Sequence, residues 1–407
     1  MISVITNYIF WYPIAMSLLW LSGALIFMWY RERKFPMPVD DKNWPKVSFL
    51  VPCFNEEDTI EETIQHLHQS DYPDFEIITI NDGSSDNTGE TLRMLTTKYS
   101  GLRVIDSATN RGKAHALNLA IHAARSEYLI CIDSDAVLSP KAPFYLIKHF
   151  LESEGTGAVT GNPRVRNRHK LLSKIQLVEY ASIIGSIKRA QRIIGKINTV
   201  SGVIVAFRKN AVAQVGLWDT DMITEDIAIS WNLQTNGWDI RFEPYALCWM
   251  LVPETLKGLW KQRVRWAQGG QEVLWKYWRV PFQWRHRSLW FLYWEQVCSL
   301  CWALGWVSLT GWTILTATAL QPILIWLAFS SFALAFLCFS QLFIALIIDA
   351  RYDNIKKYYL WAPWYPAIYW IINAVVAVVA LPKSIYARWK GGDAVWESPD
   401  RGAKNRK

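Results

Sequence analysis

The chain has 407 residues, 43 Lys and Arg against 35 Asp and Glu, and 51% apolar content, which excludes a disordered chain and leaves room for two or three folding units. Its 24 Trp, 17 Tyr and 17 Phe exceed the needs of a soluble core, and amphipathic rings favour the boundary between lipid and water. The net charge of +8 gathers beside apolar runs, so it marks the cytoplasmic face of a lipid bilayer and not a nucleic-acid surface.

Residues 1–30 hold no charged side chain, and Arg31, Arg33 and Lys34 follow at once. A secretory signal places its positive charge ahead of the apolar run and a small-residue cleavage site behind it; with neither present, the segment reads as an uncleaved transmembrane anchor.

Short apolar runs rich in β-branched residues at 47–51, 75–80, 102–105, 128–132 and 158–160 predict strands, and the patterns at 57–69, 87–99, 113–124 and 140–150 predict helices between them. Such alternation implies a mainly parallel sheet covered on both faces, with ligands bound beyond the carboxyl ends of its strands. The second strand runs into Asn81-Asp82-Gly83-Ser84-Ser85-Asp86-Asn87-Thr88, and the fourth into Asp133-Ser134-Asp135. Asp86 or Asn87 suits a helix N-cap, whereas Asp82 needs no capping role at a strand end and is a candidate binding residue. Asp133 and Asp135 can reach one pocket only if the chain bends after the strand. There they suit a hard divalent cation such as Mg²⁺, which takes one or two carboxylates and fills its shell with phosphate oxygens. Asn110-Arg111-Gly112-Lys113 precedes a helix whose amino end favours anions, and Lys113 is either a nucleotide contact or a solvated lysine.

Thr224-Glu225-Asp226 opens a helix that stops at Asn236-Gly237, with Thr224 as the expected N-cap. An Asp at that rim can also take a proton from a hydroxyl held nearby. The stretch around Lys261-Gln262-Arg263-Val264-Arg265-Trp266 has the apolar spacing of an interfacial amphipathic helix, and Gln262, Arg265 and Trp266 share one of its faces. Arg265 can grip a phosphate there, and Trp266 can offer a flat surface to a sugar.

From 288 to 348 the only charged residue is Glu295, and this length exceeds the ~20 residues of one span, so at least two helices cross, with a turn expected at Gln321-Pro322. The uncharged run 358–382 predicts a further span. Glu295 either lines a channel or snorkels to the interface near Arg287. Cys298 and Cys301 form a CxxC without partner ligands, so packing is expected there. Basic flanks at Arg31, Arg279, Arg285, Arg287, Arg351, Lys356 and Lys357 make 31–287 a cytoplasmic insert. The basic tail from Lys383 is expected inside as well, which requires either a third crossing within 288–348 or a re-entrant 358–382.

Asp82 in its loop, Asp133-Ser134-Asp135, Thr224-Glu225-Asp226 and the 262–266 motif, in that order before a membrane bundle, resemble the processive inverting glycosyltransferases of family 2, the group of cellulose, chitin and hyaluronan synthases. The likeness spans 46–270. The layout is most similar to the bacterial synthases of a β-1,6-linked N-acetylglucosamine polymer. The resemblance implies an α/β cytoplasmic domain of GT-A type, Rossmann-like, over 31–250, inserted between transmembrane helices. An anchor at 1–30, interfacial amphipathic helices at 251–287, a transmembrane bundle at 288–382 and a cytoplasmic tail at 383–407 complete it. It implies processive synthesis of the polymer from UDP-N-acetylglucosamine and its export, as a biofilm exopolysaccharide, by a multi-pass protein of the bacterial inner membrane. The alternatives are another polymer synthase of the group, a non-processive lipid-phosphate glycosyltransferase, or a catalytically silent transporter.

Carried over by position, Asp226 is the general base. Asp82, Lys113, Asp133, Gln262 and Arg265 bind the donor, Asp135 holds Mg²⁺ or Mn²⁺, and Glu225 and Trp266 bind the acceptor. Trp396 and Arg401 are gating candidates and Glu295 a channel candidate. The resemblance also implies a small membrane partner subunit with cyclic di-GMP control.

Overall fold

All five apolar runs form strands, and the four patterns between them form helices, in a computed structural model that describes residues 2–33, 43–362, 370–392 and 394. In chain order α1 (Ile2–Phe27) continues into a π-helical turn (Met28–Glu32) and is followed by β1 (Val47–Cys53), α2 (Ile60–His68), β2 (Phe75–Asp82), α3 (Thr88–Lys98) and β3 (Leu102–Ser107). Then come α4 (Lys113–Ala123), β4 (Tyr128–Ile132), β5 (Val137–Leu138), α5 (Ala142–Glu152), β6 (Thr156–Val165), α6 (Leu171–Tyr180), a second π-helical turn (Ala181–Ile187) and α7 (Lys188–Ile194). The rest is β7 (Ile204–Arg208), α8 (Lys209–Gln214), α9 (Glu225–Thr235), β8 (Asp239–Met250), α10 (Leu256–Lys276), α11 (Arg287–Thr316), α12 (Leu320–Asp349) and α13 (Trp370–Lys390).

Residues 43–167 and 196–258 belong to a sheet-based unit. Its eight strands run in the order β3-β2-β1-β4-β7-β6-β8-β5. β1 is parallel to β2 and β4, and β2 to β3, as crossover helices require. The other half is mixed: β7 runs antiparallel to both β4 and β6, β5 antiparallel to β8, and β6 parallel to β8. Every residue of β1 is buried because helices cover both faces, and α2 turns Ile60, Thr63, Ile64 and Leu67 inward at helical spacing. The register pairs Cys53 with Asn81 and Asp82 with Ser107, so the strands end along one edge. Strand order reverses between β1 and β4, and that is where the crevice of such a sheet opens.

Residues 2–33, 168–195, 259–362 and 370–389 belong to a helical unit. Three of its helices are long and apolar enough to cross a membrane: Ser3–Glu32, Trp284–Thr316 and Ile371–Lys390. α12 has 30 residues and no charge before Asp349. Residues 288–348 therefore make two helices, and their turn falls at 317–319 instead of Gln321-Pro322. Pro322 sits in the first turn of α12, where no N–H is required of it. The uncharged run 358–382 begins in a 3₁₀ turn (Lys356–Trp361) and resumes as α13. Ile9, Trp302, Ala303, Trp306 and Ala374 pack α1, α11 and α13 together, and Trp302 Nε1 donates to the Ile9 carbonyl at 3.0 Å. Gly23 lets α1 lie against α7, since a Cβ there would fall 2.6 Å from that of Ala190. Arg189, fully buried, is paired with both Glu32 and Asp349, and Tyr352 donates to Glu32 at 2.7 Å. Removing one member of such a buried set costs about 3–5 kcal/mol.

Candidate active site

In the sheet-based unit the acids gather at the strand ends. Asp82, the last residue of β2, accepts from the amides of Arg111 at 3.1 Å and Gly112 at 2.8 Å. Burial pushes its carboxyl up, and these amide bonds, with the charges of His115 and Arg111, pull the other way. The loop it grips needs glycine on both sides: Gly83 has φ +67 and a Cβ there would meet the Asn110 nitrogen at 2.5 Å, while Gly112 precedes α4 with φ +93. Asp86 caps α3 from one residue outside, accepting from the Thr88 amide at 3.0 Å, whereas the Asn87 side chain makes no capping bond.

The chain does bend after β4. Ala136 N donates to the Asp133 carbonyl at 3.1 Å, closing a turn that holds Ser134 and Asp135. Asp82, Lys113, Asp133 and Ser134 line one cavity with Pro52, Cys53 and Phe54 from the end of β1. Lys113 is not a solvated lysine. Its Nζ donates to Asp133 Oδ1 at 2.5 Å and lies 3.2 Å from Glu225 Oε1. Burial would lower its affinity for the proton, but the charges of Asp133 and Glu225, with that of Asp226 beyond them, hold it well above the ordinary lysine value. The amino end of α9 and the end of β4 are thus joined through one ammonium group.

Asp226 Oδ1 accepts from the Ile227 amide at 2.9 Å. A Cβ on Gly202 would stand 3.4 Å from Asp226 Oδ2, 3.2 Å from Lys113 Nζ and 3.6 Å from Glu225 Oε1. Gly202 therefore borders the same space; nothing but a Ser-Gly pair ahead of β7 signals it in the sequence. Thr224 does not cap α9: its side chain makes no capping bond, and its buried Oγ1 has no protein partner among the described residues. Asn236 and Gly237 end the helix as expected, Gly237 with φ +90.

In the helical unit, α10 carries the Gln262, Arg265 and Trp266 face. Gln262 is buried and its Oε1 lacks a protein partner among the described residues, while Arg265 and Trp266 are partly exposed. Arg263, between them in sequence, points inward to Glu179 and stacks on the Trp266 ring. Glu295 borders a cavity of about 390 Å³ within the helices, together with Tyr12, Ser17, Gln271, Gln296 and Asn373. Cys298 and Cys301 are free thiols on α11. Trp396 and Arg401 lie outside the described residues.

The donor chemistry at the end of β4 suits a hard cation held jointly with substrate. Asp133 and Asp135 stand two residues apart on the turn that the Ala136 amide closes on the Asp133 carbonyl. No group of three His, Cys, Asp or Glu residues able to hold a metal occurs among the described residues, so phosphate oxygens would have to complete the shell.

Residues 45–269 match the family described as glycosyltransferase like family 2. The chain is 45% identical over 409 residues to a poly-beta-1,6-N-acetyl-D-glucosamine synthase of Staphylococcus epidermidis, covering 98% of each chain. It is 45% identical over 410 residues to one of Staphylococcus aureus, covering 98% of this chain and 99% of that one. A mannosyltransferase of Pyrobaculum calidifontis, solved with GDP-Man and Mn²⁺, shares the fold with a TM-score of 0.59 at 20% identity, over 95% of this chain and 99% of that one. The chain belongs to glycosyltransferase family 2 and is a membrane-associated glycosyltransferase enzyme with a GT-A-type fold and a mixed sheet.

Proposed function

We propose that this enzyme builds a β-1,6-linked N-acetylglucosamine polymer from UDP-N-acetylglucosamine and passes it across the bacterial inner membrane, with the sheet-based unit on the cytoplasmic side. The near full-length likeness to synthases of that polymer supports the substrate and product. The observation that carries the chemistry is the meeting of Asp133, Glu225 and Asp226 around Lys113.

In this reading Asp226 accepts the proton of the acceptor hydroxyl as that oxygen attacks the anomeric carbon, and the bond to UDP breaks on the opposite side. One displacement inverts the centre, giving a β-linkage from an α-linked sugar nucleotide. Lys113, Gln262 and Arg265 offset the charge left on the departing diphosphate. Asp82 serves the nucleoside end, and Glu225 and Trp266 the acceptor. Asp135, with Asp133, would hold Mg²⁺ or Mn²⁺, which when bound supplies further positive charge to the diphosphate. Glu295 and the amides beside it would line the exit path, with Trp396 and Arg401 as gate. Control by cyclic di-GMP through a small membrane partner belongs to this reading by family resemblance.

Asp226→Asn is expected to bind UDP with unchanged affinity by calorimetry and to make no polymer in membranes given radiolabelled UDP-N-acetylglucosamine. Normal turnover by the variant overturns the assignment of the base. Wild-type product that resists hydrolases specific for the β-1,6 linkage overturns the product.

A further inference from the structure

We infer that Glu179 and Arg263 are positioning residues that fix the Trp266 ring as a platform for the acceptor sugar. The inference rests on the acceptor role of Trp266 in the proposed function.

An amphipathic helix at an interface ordinarily turns its arginines to solvent or headgroups. α10 turns Arg263 the other way, leaving its side chain 5% exposed. The guanidinium donates to Glu179 Oε2 at 2.5 Å, and Glu179, near the end of α6, is fully buried. Burial pushes the Glu179 carboxyl up to about 7, with only the Arg263 charge opposing. Two buried ions are a costly way to join two helices, since an apolar pair of similar volume often does as well or better. A further task accounts for the arginine.

That task is visible one turn along. The guanidinium carbon lies 4.4 Å from the Trp266 ring centroid, within cation–π range, and the Tyr180 ring lies 6.4 Å from it at a tilt of 53°. Arg263 and Trp266 are three residues apart and so share a side of α10. Glu179 fixes the guanidinium, the guanidinium backs the indole, and Tyr180 bounds it, while Trp266 itself stays partly exposed. A sugar stacked on a flat ring gains little per contact, so a ring already held in one orientation binds it better than one that must be ordered on arrival. Lysine is a poor substitute for Arg263 here, because a point charge on a flexible stem does not stack flat on the indole.

The test uses the full-length chain in native membranes or nanodiscs, with UDP-N-acetylglucosamine as donor and short β-linked N-acetylglucosamine oligosaccharides as acceptor. Arg263→Met is expected to raise the acceptor KM about tenfold, the order of losing a desolvated stacked cation, with the donor KM unchanged within about twofold. Arg263→Lys should fall between, and Glu179→Gln, which keeps a hydrogen-bond acceptor, should stay within about threefold of wild type. Because the effect acts through the indole, Arg263→Met added to Trp266→Ala should cost nothing more. The inference is overturned if the arginine variants shift donor and acceptor KM alike, or if the double variant multiplies the two losses. Should Arg263→Met fail to accumulate, the Lys and Gln variants decide by the same ratio of acceptor to donor KM. Trp266→Ala with an unchanged acceptor KM would instead sink the acceptor role of Trp266 in the proposed function. A raised acceptor KM in Trp266→Ala alone sinks only the part assigned to Glu179 and Arg263.

Discussion

Lys113→Met removes one charge while keeping most of the side-chain stem, and the surroundings of Lys113 set the size of the effect. Its Nζ stands 2.5 Å from Asp133 and 3.2 Å from Glu225, and the three side chains are 13%, 23% and 12% exposed. At an effective dielectric of about 20 each attraction amounts to about 5–7 kcal/mol before desolvation. Desolvation takes back most of that, and breaking a buried pair from one side leaves a net cost of about 3–5 kcal/mol. Residual solvent access at Asp133 favours the lower end. Loss of about 3 kcal/mol in a unit of this size lowers the thermal midpoint by roughly 6–12 °C. In the proposed mechanism the same ammonium meets the diphosphate, and losing a charge-assisted hydrogen bond of about 1.5–3 kcal/mol weakens UDP affinity by roughly ten- to a hundredfold. A thermal scan of the purified chain in nanodiscs reads the first effect, and calorimetry with UDP reads the second. Lys113→Arg should recover the midpoint better than the affinity, since it restores charge in a wider, differently shaped group. A methionine variant with wild-type midpoint and wild-type UDP affinity would refute both the stabilising and the donor-binding role.

Gly202→Ala tests the space between the same groups. Its Cβ would stand 3.2 Å from Lys113 Nζ and 3.4 Å from Asp226 Oδ2, and because Lys113 is tied on two sides it cannot simply withdraw. The expected result is a normal thermal midpoint with polymerisation reduced about tenfold; unchanged turnover would mean that this space is not used. Glu243 sets an acid limit on the sheet-based unit. Burial raises its carboxyl, but the His149 hydrogen bond and the Lys148 charge outweigh burial and hold it below the ordinary range. A folded value below the unfolded one contributes stability that is full above about 4.3 and is lost as pH falls through the folded value. Between about pH 5 and 3 the wild-type midpoint should therefore drop more steeply than that of Glu243→Gln; parallel curves would remove Glu243 from the account.

The half of the sheet that was legible is the half in which local pattern and tertiary setting agree. β1, β2 and β4 are mostly apolar runs with β-branched residues among them because both faces are buried, and polar residues stand at the ends of β2 and β4 because the crevice opens there. β7 follows a run of the same kind, 203–207, that the five predicted strands do not include, whereas β8 gave no comparable signal. β8 holds Pro, Glu and Tyr, alternates in burial and is irregular in register against β6, and β7 runs antiparallel to both of its neighbours, which a local pattern does not encode. Residues 168–195 were silent for another reason. Lys188, Arg189 and Glu179 read locally as a solvated charged face, yet all three are buried, and the partners of Arg189 lie 157 and 160 residues away. Pairing across such separations leaves no trace within any window of sequence.

Asp82 and Thr224 show how a correct location can carry an unexpected local job. Both were placed by simple rules, one as a strand-end acid free to bind and the other as a helix cap. In the structure the cap makes no capping bond and leaves a buried hydroxyl without a protein partner among the described residues, while the free acid grips two amides. The exchange has a physical logic. A carboxylate at the end of β2 can hold the 110–112 loop only because Gly83 and Gly112 let the backbone approach, and that loop leads directly into Lys113 at the start of α4. Asp82 therefore acts on Lys113 through the chain as well as on whatever occupies the cavity they share.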